Sequence, residues 1–276
     1  MKVFISADME GISGVASLSE VNTEDGRDYA LARKAMTADV NAAIDGALDA
    51  GAKEIWVRDA HGGMTNILPE ELDKVAILVR GSPAILSMIE GLDDTFDCML
   101  AVGYHSMSGT PCGLLDHTYS GRCVSSIRLN GKEIGEFAMN AMVAGHLGVP
   151  VVFISGDSAT VEGARSLVPN IVGVEVKRAL GRYAASCIHP NAARARIHLG
   201  AEEAVNLAKK KAVKPFLVKS PIEVEVELRH AGMADVAQKM PMSERRGART
   251  VACVMKDPVE AYKAIICLVT LASTEK

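Results

Sequence analysis

The residues most able to do chemistry sit immediately after apolar runs. Val3, Phe4 and Ile5 form a short β-prone stretch, and Asp8 and Glu10 follow two residues apart in ISADMEGISG. In extended chain, side chains two apart share a face and lie roughly 6.5–7 Å apart along the strand. Two like charges that close repel, and each is costly to desolvate. A cation, a hydrogen-bonded turn or plain solvent exposure would each make the pair tolerable. The same position recurs further along the chain. Asp59 and His61 follow KEIWV, His105 follows CMLAVGY, and Asp157 follows VVFIS. Carboxylate and imidazole without thiolate suit a catalytic zinc, manganese or iron site better than a structural zinc site. Several carboxylates with two or more histidines also make up the inventory of a two-metal centre, whose ions sit about 3.5–4 Å apart.

Each residue also has a plainer reading. Asp8 and Glu10 could form a solvated turn ending at Gly11, His61 an ordinary loop residue before two glycines, and His105 a satisfied core histidine. Asp157 could cap the helix that follows it. The convergence lifts the set above its members, because the strands are placed from apolar runs alone.

Those strands are Lys2 to Ala7, 53–59, 74–81, 96–104 and 149–155. Between the first two, Tyr29, Ala32, Met36, Val40, Ile44 and Leu48 recur at nearly the helical period, and Gly51 ends the helix. AILSMIEGL reads as a short helix. Around Asn130-Gly131 the pattern becomes a β-hairpin with a type I′ turn, followed by a helix from Glu136 to Leu147. A helix over 158–168 follows the 149–155 strand. The last third reads as a long helix over 190–213, a strand over 222–228, a helix over 232–239, a strand over 249–255 and a final helix over 257–272. Strands separated by helices imply an α/β fold with a mainly parallel sheet flanked by helices, here with a smaller C-terminal α+β portion. The expected division is a metal-binding catalytic domain over 1–190 and a C-terminal portion over 191–276, packed with the first as one unit. In such sheets ligands bind beyond the carboxyl ends of the strands, where these polar residues fall.

With 276 residues, 49% of them apolar, the chain can bury a sizeable core. A net charge of −4 and few aromatics argue against a nucleic-acid partner. No window approaches the ~18 apolar residues of a membrane span. The acids at the N-terminus interrupt what a signal peptide would keep apolar. Six scattered cysteines with no C-x-x-C pair fit a reduced, cytoplasmic protein.

The segments DMEGISG (8–14), VRDAHGGM (57–64), GLDDTF (91–96), VGYHS (102–106) and NGKEIGEFAMNA (130–141) occur in an order that resembles the DppA-type zinc D-aminopeptidases. The resemblance continues through VPVVFISGD (149–157), VKRALGRYAASCIHP (176–190) and AGMADVAQKMP (231–241), and so covers essentially the whole chain. It implies a binuclear metallopeptidase that releases N-terminal D-amino acids from short peptides by a metal-activated water. Two Zn2+ per subunit are implied, with Mn2+ or another divalent ion able to replace them. The implied ligands are Asp8, Glu10, His61, His105 and Glu136, with Asp8 bridging. Glu136 comes from the resemblance alone; by itself it reads as a first-turn acid favoured by the helix dipole. His117, in LLDHTYS, matches the family's catalytic histidine, either as proton carrier and oxyanion stabiliser or as nucleophile. The family also implies a homo-oligomer, a decamer of stacked rings with its active sites facing an internal chamber.

Lesser expectations attach to neighbours. Asn140 is a partner for Glu136 one helical turn on, or a surface residue, and Asp59 is a hydrogen-bond partner for a ligating histidine. Gly11, Gly14, Gly62 and Gly63 let the backbone turn near the metals. His146 reads as a helix C-terminal dipole partner, while His189, His198 and His230 carry no role. A binuclear hydrolase of a non-peptide amide or phosphoester is the alternative, for which Arg58 and Arg122 are the nearby basic residues. A metal-dependent binding or scaffold protein without turnover ranks last.

Overall fold

The computed structural model describes residues 1–23 and 26–275. Among these, seven strands form one sheet in the order β3-β2-β1-β4-β7-β8-β9. The strands are β1 (Lys2–Ala7), β2 (Glu54–Asp59), β3 (Ala76–Val79), β4 (Cys98–Tyr104), β7 (Val151–Asp157), β8 (Val172–Gly181) and β9 (Ala184–Cys187). All neighbours pair parallel except β9, which runs antiparallel to β8. β4 and β7 are buried at every residue, as their unbroken apolar runs require of strands covered on both faces. The order reverses between β1 and β4, so a crevice opens at their carboxyl ends, the place where open α/β sheets bind ligands.

Helix α2 (Gly26–Asp49) buries Ala32, Met36, Val40, Ile44 and Ala47 against the sheet and against α5 (Pro190–Lys209). The two helices approach closely because Gly46 has no side chain; a Cβ there would overlap the His198 carbonyl. The short α1 (Leu18–Val21) precedes α2, while α3 (Glu136–His146) and α4 (Ser158–Leu167) follow the hairpin and β7.

A second, antiparallel sheet of five strands has the order β11-β12-β10-β5-β6. It joins the hairpin β5 (Val124–Leu129) and β6 (Lys132–Ile134) to β10 (Ile222–Leu228), β11 (Ser243–Arg245) and β12 (Thr250–Met255). β10 alternates buried Ile222, Val224, Val226 and Leu228 with its glutamates, and α7 (Pro258–Ser273) covers the apolar face. α6 (Ala231–Ala237) packs beside α7. The two parts therefore interlock across residue 190. The hairpin belongs to the second sheet, and α5 packs on α2.

Most boundaries lie within a few residues of those read from the pattern. The hairpin turn has φ of 49° at Asn130 and 77° at Gly131, as a type I′ turn needs. The expected helix at 84–92 is only a 3-10 turn over Ser87–Ile89, with Ser87 in the left-handed region at φ 43°. β8 and β9 went unread, because the charges of VEVKR mask an element of the buried sheet.

Candidate metal centre

Asp8 and Glu10 lie in the loop leaving β1, and that loop is held against the end of β4. Asp8 N–H donates to the Val102 carbonyl and Gly11 N–H to the Gly103 carbonyl, both at 2.8 Å. Gly11 is required there, since a Cβ would run into the Tyr104 and Gly103 backbone. His61 comes from the loop after β2, His105 from the end of β4, and Glu136 from the first turn of α3. The fold brings all five ligand candidates into one buried cluster, with His117 at its edge.

The separations are short and regular. His61 Nδ1 is 3.2 Å from Asp8 Oδ1 and 3.0 Å from Glu10 Oε2, and His105 Nε2 is 3.4 Å from Asp8 Oδ2 and 3.3 Å from Glu136 Oε1. Asp8 thus turns one oxygen to each histidine. His117 lies slightly farther off, with Nε2 3.9 Å from Glu10 Oε1 and 3.8 Å from Glu136 Oε1. Its ring stacks on that of His105, with centroids 4.0 Å apart and planes 9° from parallel. Two candidate ligand groups result, Asp8–Glu10–His61 and His105–His117–Glu136.

The tautomers follow from the outer side of each ring. His61 Nε2 is 2.8 Å from the Val21 carbonyl, His105 Nδ1 2.9 Å from the Ser106 carbonyl, and His117 Nδ1 2.9 Å from the Leu115 carbonyl. A carbonyl only accepts, so each of these nitrogens carries the proton. In the neutral rings the opposite nitrogens then aim lone pairs at carboxylates that also only accept. Asp8 Oδ2, Glu10 Oε2 and His105 Nε2 are buried and have no hydrogen-bond partner. Buried acceptors left facing one another are costly, and a cation among them removes the cost. The inter-ligand spacing agrees, since a tetrahedral ion with bonds of ~2.0 Å has ligand–ligand edges of about 3.3 Å. Donor set, burial and spacing all fit zinc.

Without a metal, protons must balance these charges. Burial and the adjacent Glu10 carboxylate push Asp8 up to about 7. Burial opposes charge on His105, but Glu136 and Asp8 outweigh it and push its pKa up to about 10. His61 is likewise held well above the ordinary range by Glu10 and Asp8, against its burial. Glu10 and Glu136 are held low despite burial, Glu10 chiefly by His61 and Glu136 chiefly by His105. His117 differs: burial and the charge on His105 lower its pKa.

A cavity of about 170 Å3 opens onto the cluster, lined by Asp8, Glu10, His61, His117, Tyr119 and Glu136 among others. Asp59 supports it indirectly. Its carboxylate accepts from Asn66 N–H, Asn66 Nδ2 and Ile67 N–H, and Asn66 in turn donates to the His61 carbonyl at 2.6 Å. Asp59 therefore holds the loop that carries His61 and makes no bond to the ring. Asp157 caps α4 through Thr160 N–H, and its second oxygen accepts from Leu114 N–H at 2.7 Å, anchoring the loop before His117. Asn140 does not reach Glu136. It is fully buried, donating to Tyr104 OH and accepting from Tyr262 OH. Tyr119 was not foreseen: its N–H donates to Glu136 Oε1 at 2.6 Å. No spacing rule marks it, since that bond depends on φ of 62° in an irregular loop.

A carboxylate–histidine cluster at the switch point of an α/β sheet, opening into a cavity, defines a metallohydrolase type of site. The model of the D-aminopeptidase family Peptidase_M55 matches residues 1–267. The D-aminopeptidase of Bacillus subtilis (strain 168) is 36% identical over 276 residues, covering 99% of this chain and 98% of that protein. A solved structure, the Zn-dependent D-aminopeptidase DppA from Bacillus subtilis, described as a self-compartmentalizing protease, superposes with a TM-score of 0.95 at 34% identity, covering 99% of this chain and 98% of its own. The chain belongs to the D-aminopeptidase family.

Proposed function

We propose that this protein is a zinc aminopeptidase that removes the N-terminal D-amino acid from short peptides. In this reading Asp8, Glu10, His61, His105 and Glu136 would hold two ions, and His117 is the catalytic histidine. The observation that carries the reading is the buried set of acceptors without partners, Asp8 Oδ2, Glu10 Oε2 and His105 Nε2: His105 Nε2 faces Asp8 Oδ2 across 3.4 Å, and Glu10 Oε2 faces His61 Nδ1 across 3.0 Å.

When bound, zinc supplies a Lewis acid for the scissile carbonyl and lowers the pKa of water toward neutrality. The chain's own residues do the rest. The carbonyls of Val21 and Ser106 fix the rings of His61 and His105, so their free nitrogens face inward at no cost of reorganisation. Burial lowers the pKa of His117 and so favours its neutral form. Its Nδ1–H is tied to Leu115, so Nε2 is the free base facing Glu10 and Glu136 at the cavity. It takes a proton from the attacking water and returns it to the departing amine, the ordinary work of a general base and then acid.

The phosphoester alternative is not favoured, because among the described residues no lysine or arginine side chain pairs with the cluster's carboxylates. Arg58 spends its guanidinium on the Ser87 and Gly81 carbonyls and on Met64 Sδ, and Arg122 lies at the surface near the Ser273 carbonyl. We further propose that the chain works as a homo-oligomer, a decamer by family resemblance, for which the self-compartmentalizing relative is the support. Among the described residues no helix is long and apolar enough to cross a membrane.

The test is turnover of paired D- and L-alanyl peptides by zinc-loaded protein, with Asp8→Ala and chelator controls and light-scattering mass. D-selective release lost in both controls is expected. Hydrolysis of L-peptides would keep the metal chemistry and overturn the D preference, and no peptide turnover despite bound zinc would overturn the peptidase reading.

A further inference from the structure

Lys177 is among the largest fully buried side chains of the molecule, and no carboxylate pairs with it within 4 Å among the described residues. It projects from β8 into the curl of the loop that carries Asp8 and Glu10. Its ammonium donates to three backbone carbonyls of that loop, Glu10 at 2.5 Å, Ile12 at 2.9 Å and Val15 at 2.6 Å. An ammonium has three protons, and all three are used. Three carbonyl dipoles converging on one buried point repel one another unless a cation sits there, so the loop's conformation and the lysine require each other. The loop's other ties are neutral main-chain bonds to β4 and the contact of Ser13 with Asp39, whose carboxylate accepts from Ser13 N–H at 2.8 Å and Ser13 Oγ–H at 2.7 Å.

We propose that Lys177 is a positioning residue for the Asp8–Glu10–His61 half of the metal centre: by holding the Glu10 carbonyl behind the loop, it fixes the direction in which the Glu10 carboxylate points. A metal ligand must be held within about 0.5 Å, and that precision comes from groups that lock its backbone and rotamer. The His105–Glu136 half hangs on β4 and α3 and meets the loop only through Asp8, whose own N–H is held by the Val102 carbonyl of β4, so the half that contains Glu10 responds more strongly to the loss of Lys177.

The inference rests on the metal-centre reading above, and its test separates the two. Lys177→Met keeps the apolar stem and removes the three donors; Lys177→Gln keeps two donors without the charge. Zinc uptake is measured by competition with a chromophoric chelator, alongside circular dichroism and the kcat and KM for a D-alanyl peptide. The expected result for Lys177→Met is a folded protein that binds one ion as the wild type does and the other about 10–100-fold more weakly, the range seen when groups supporting ligands are removed. Its kcat falls more than its KM changes, and Lys177→Gln lies between. If the wild type takes up no ion, the metal-centre reading falls, and this proposal with it. If the wild type binds two ions and Lys177→Met binds both with unchanged affinity, whatever its thermal midpoint, the proposal alone falls. Equal weakening of both sites, or failure of both variants to fold, assigns Lys177 to general stability and also overturns it.

Discussion

At the scale of single residues, the site depends on groups that accept and cannot donate. Glu136 shows how much this matters, since its Oε1 already takes the Tyr119 N–H and faces His105 and His117. Glu136→Gln preserves shape but replaces one anionic oxygen by a donor. Zinc affinity is expected to fall by more than about 100-fold, beyond the loss typical of supporting groups, as read by chelator competition. His117 sits farther from the carboxylates than the other two histidines, so His117→Ala is expected to retain zinc. Its kcat is expected to drop by about 10²–10⁴, the usual contribution of a general acid–base. Single-turnover kinetics on zinc-loaded variant would reveal this, and loss of metal instead would make His117 a ligand.

Between elements, a buried hydroxyl chain ties the second sheet's helix to the first sheet beneath the site. Tyr119 OH meets Tyr262 OH at 3.0 Å, Tyr262 donates to Asn140 Oδ1 at 2.9 Å, Asn140 donates to Tyr104 OH at 2.8 Å, and Tyr104 OH meets Ser6 Oγ at 2.7 Å. The chain joins α7, α3, β4 and β1, which is why a residue near the C-terminus bears on a site built mostly by the first half. Tyr262→Phe leaves the fully buried Asn140 Oδ1 without its donor. A loss of about 1–3 kcal/mol is expected in denaturant unfolding, with the secondary structure unchanged. A shift well under 0.5 kcal/mol would mean that the network carries little stability.

For the whole molecule, the carboxylate–histidine cluster couples charge to stability. In the metal-free chain the folded state binds protons that the unfolded state releases. Asp8 does so between its ordinary pKa of 3.8 and about 7, and His105 between 6.5 and about 10. Wherever the folded state holds more protons, stability falls as pH rises. The His105 contribution is fully present below pH 6.5 and is lost as pH passes through about 10. Zinc bound as proposed takes the place of those protons, so the loaded protein is expected to escape the decline, and ligand binding at 1,000 times Kd adds about 4 kcal/mol. The gap in thermal midpoint between zinc-loaded and chelated protein is expected to widen from pH 6 to pH 9 by calorimetry. A gap that narrows over that range would contradict the protonation scheme.

Local pattern was enough to single out Asp8, Glu10, His61 and His105 as candidates that the fold gathers into one cluster, because a parallel sheet places whatever follows each apolar strand along one edge, and apolar runs of that kind are visible in the residue order. The type I′ turn at Asn130-Gly131 and the apolar stripe of α2 were legible for the same reason: each depends on residues within a few positions of one another. Glu136 was legible only through family resemblance, since a first-turn glutamate looks alike whether it faces solvent or a metal. What tertiary structure alone decided depends on partners far apart in the chain. Asp59 proved to hold a loop, Asn140 turned from Glu136 to two tyrosines, and Lys177 lies 167 residues from the carbonyl it holds at Glu10. A lysine in a charged stretch reads as surface by composition; only the folded chain reveals three carbonyls converging on it, because burial of a charge is set by where its partners arrive and leaves no local mark in the sequence.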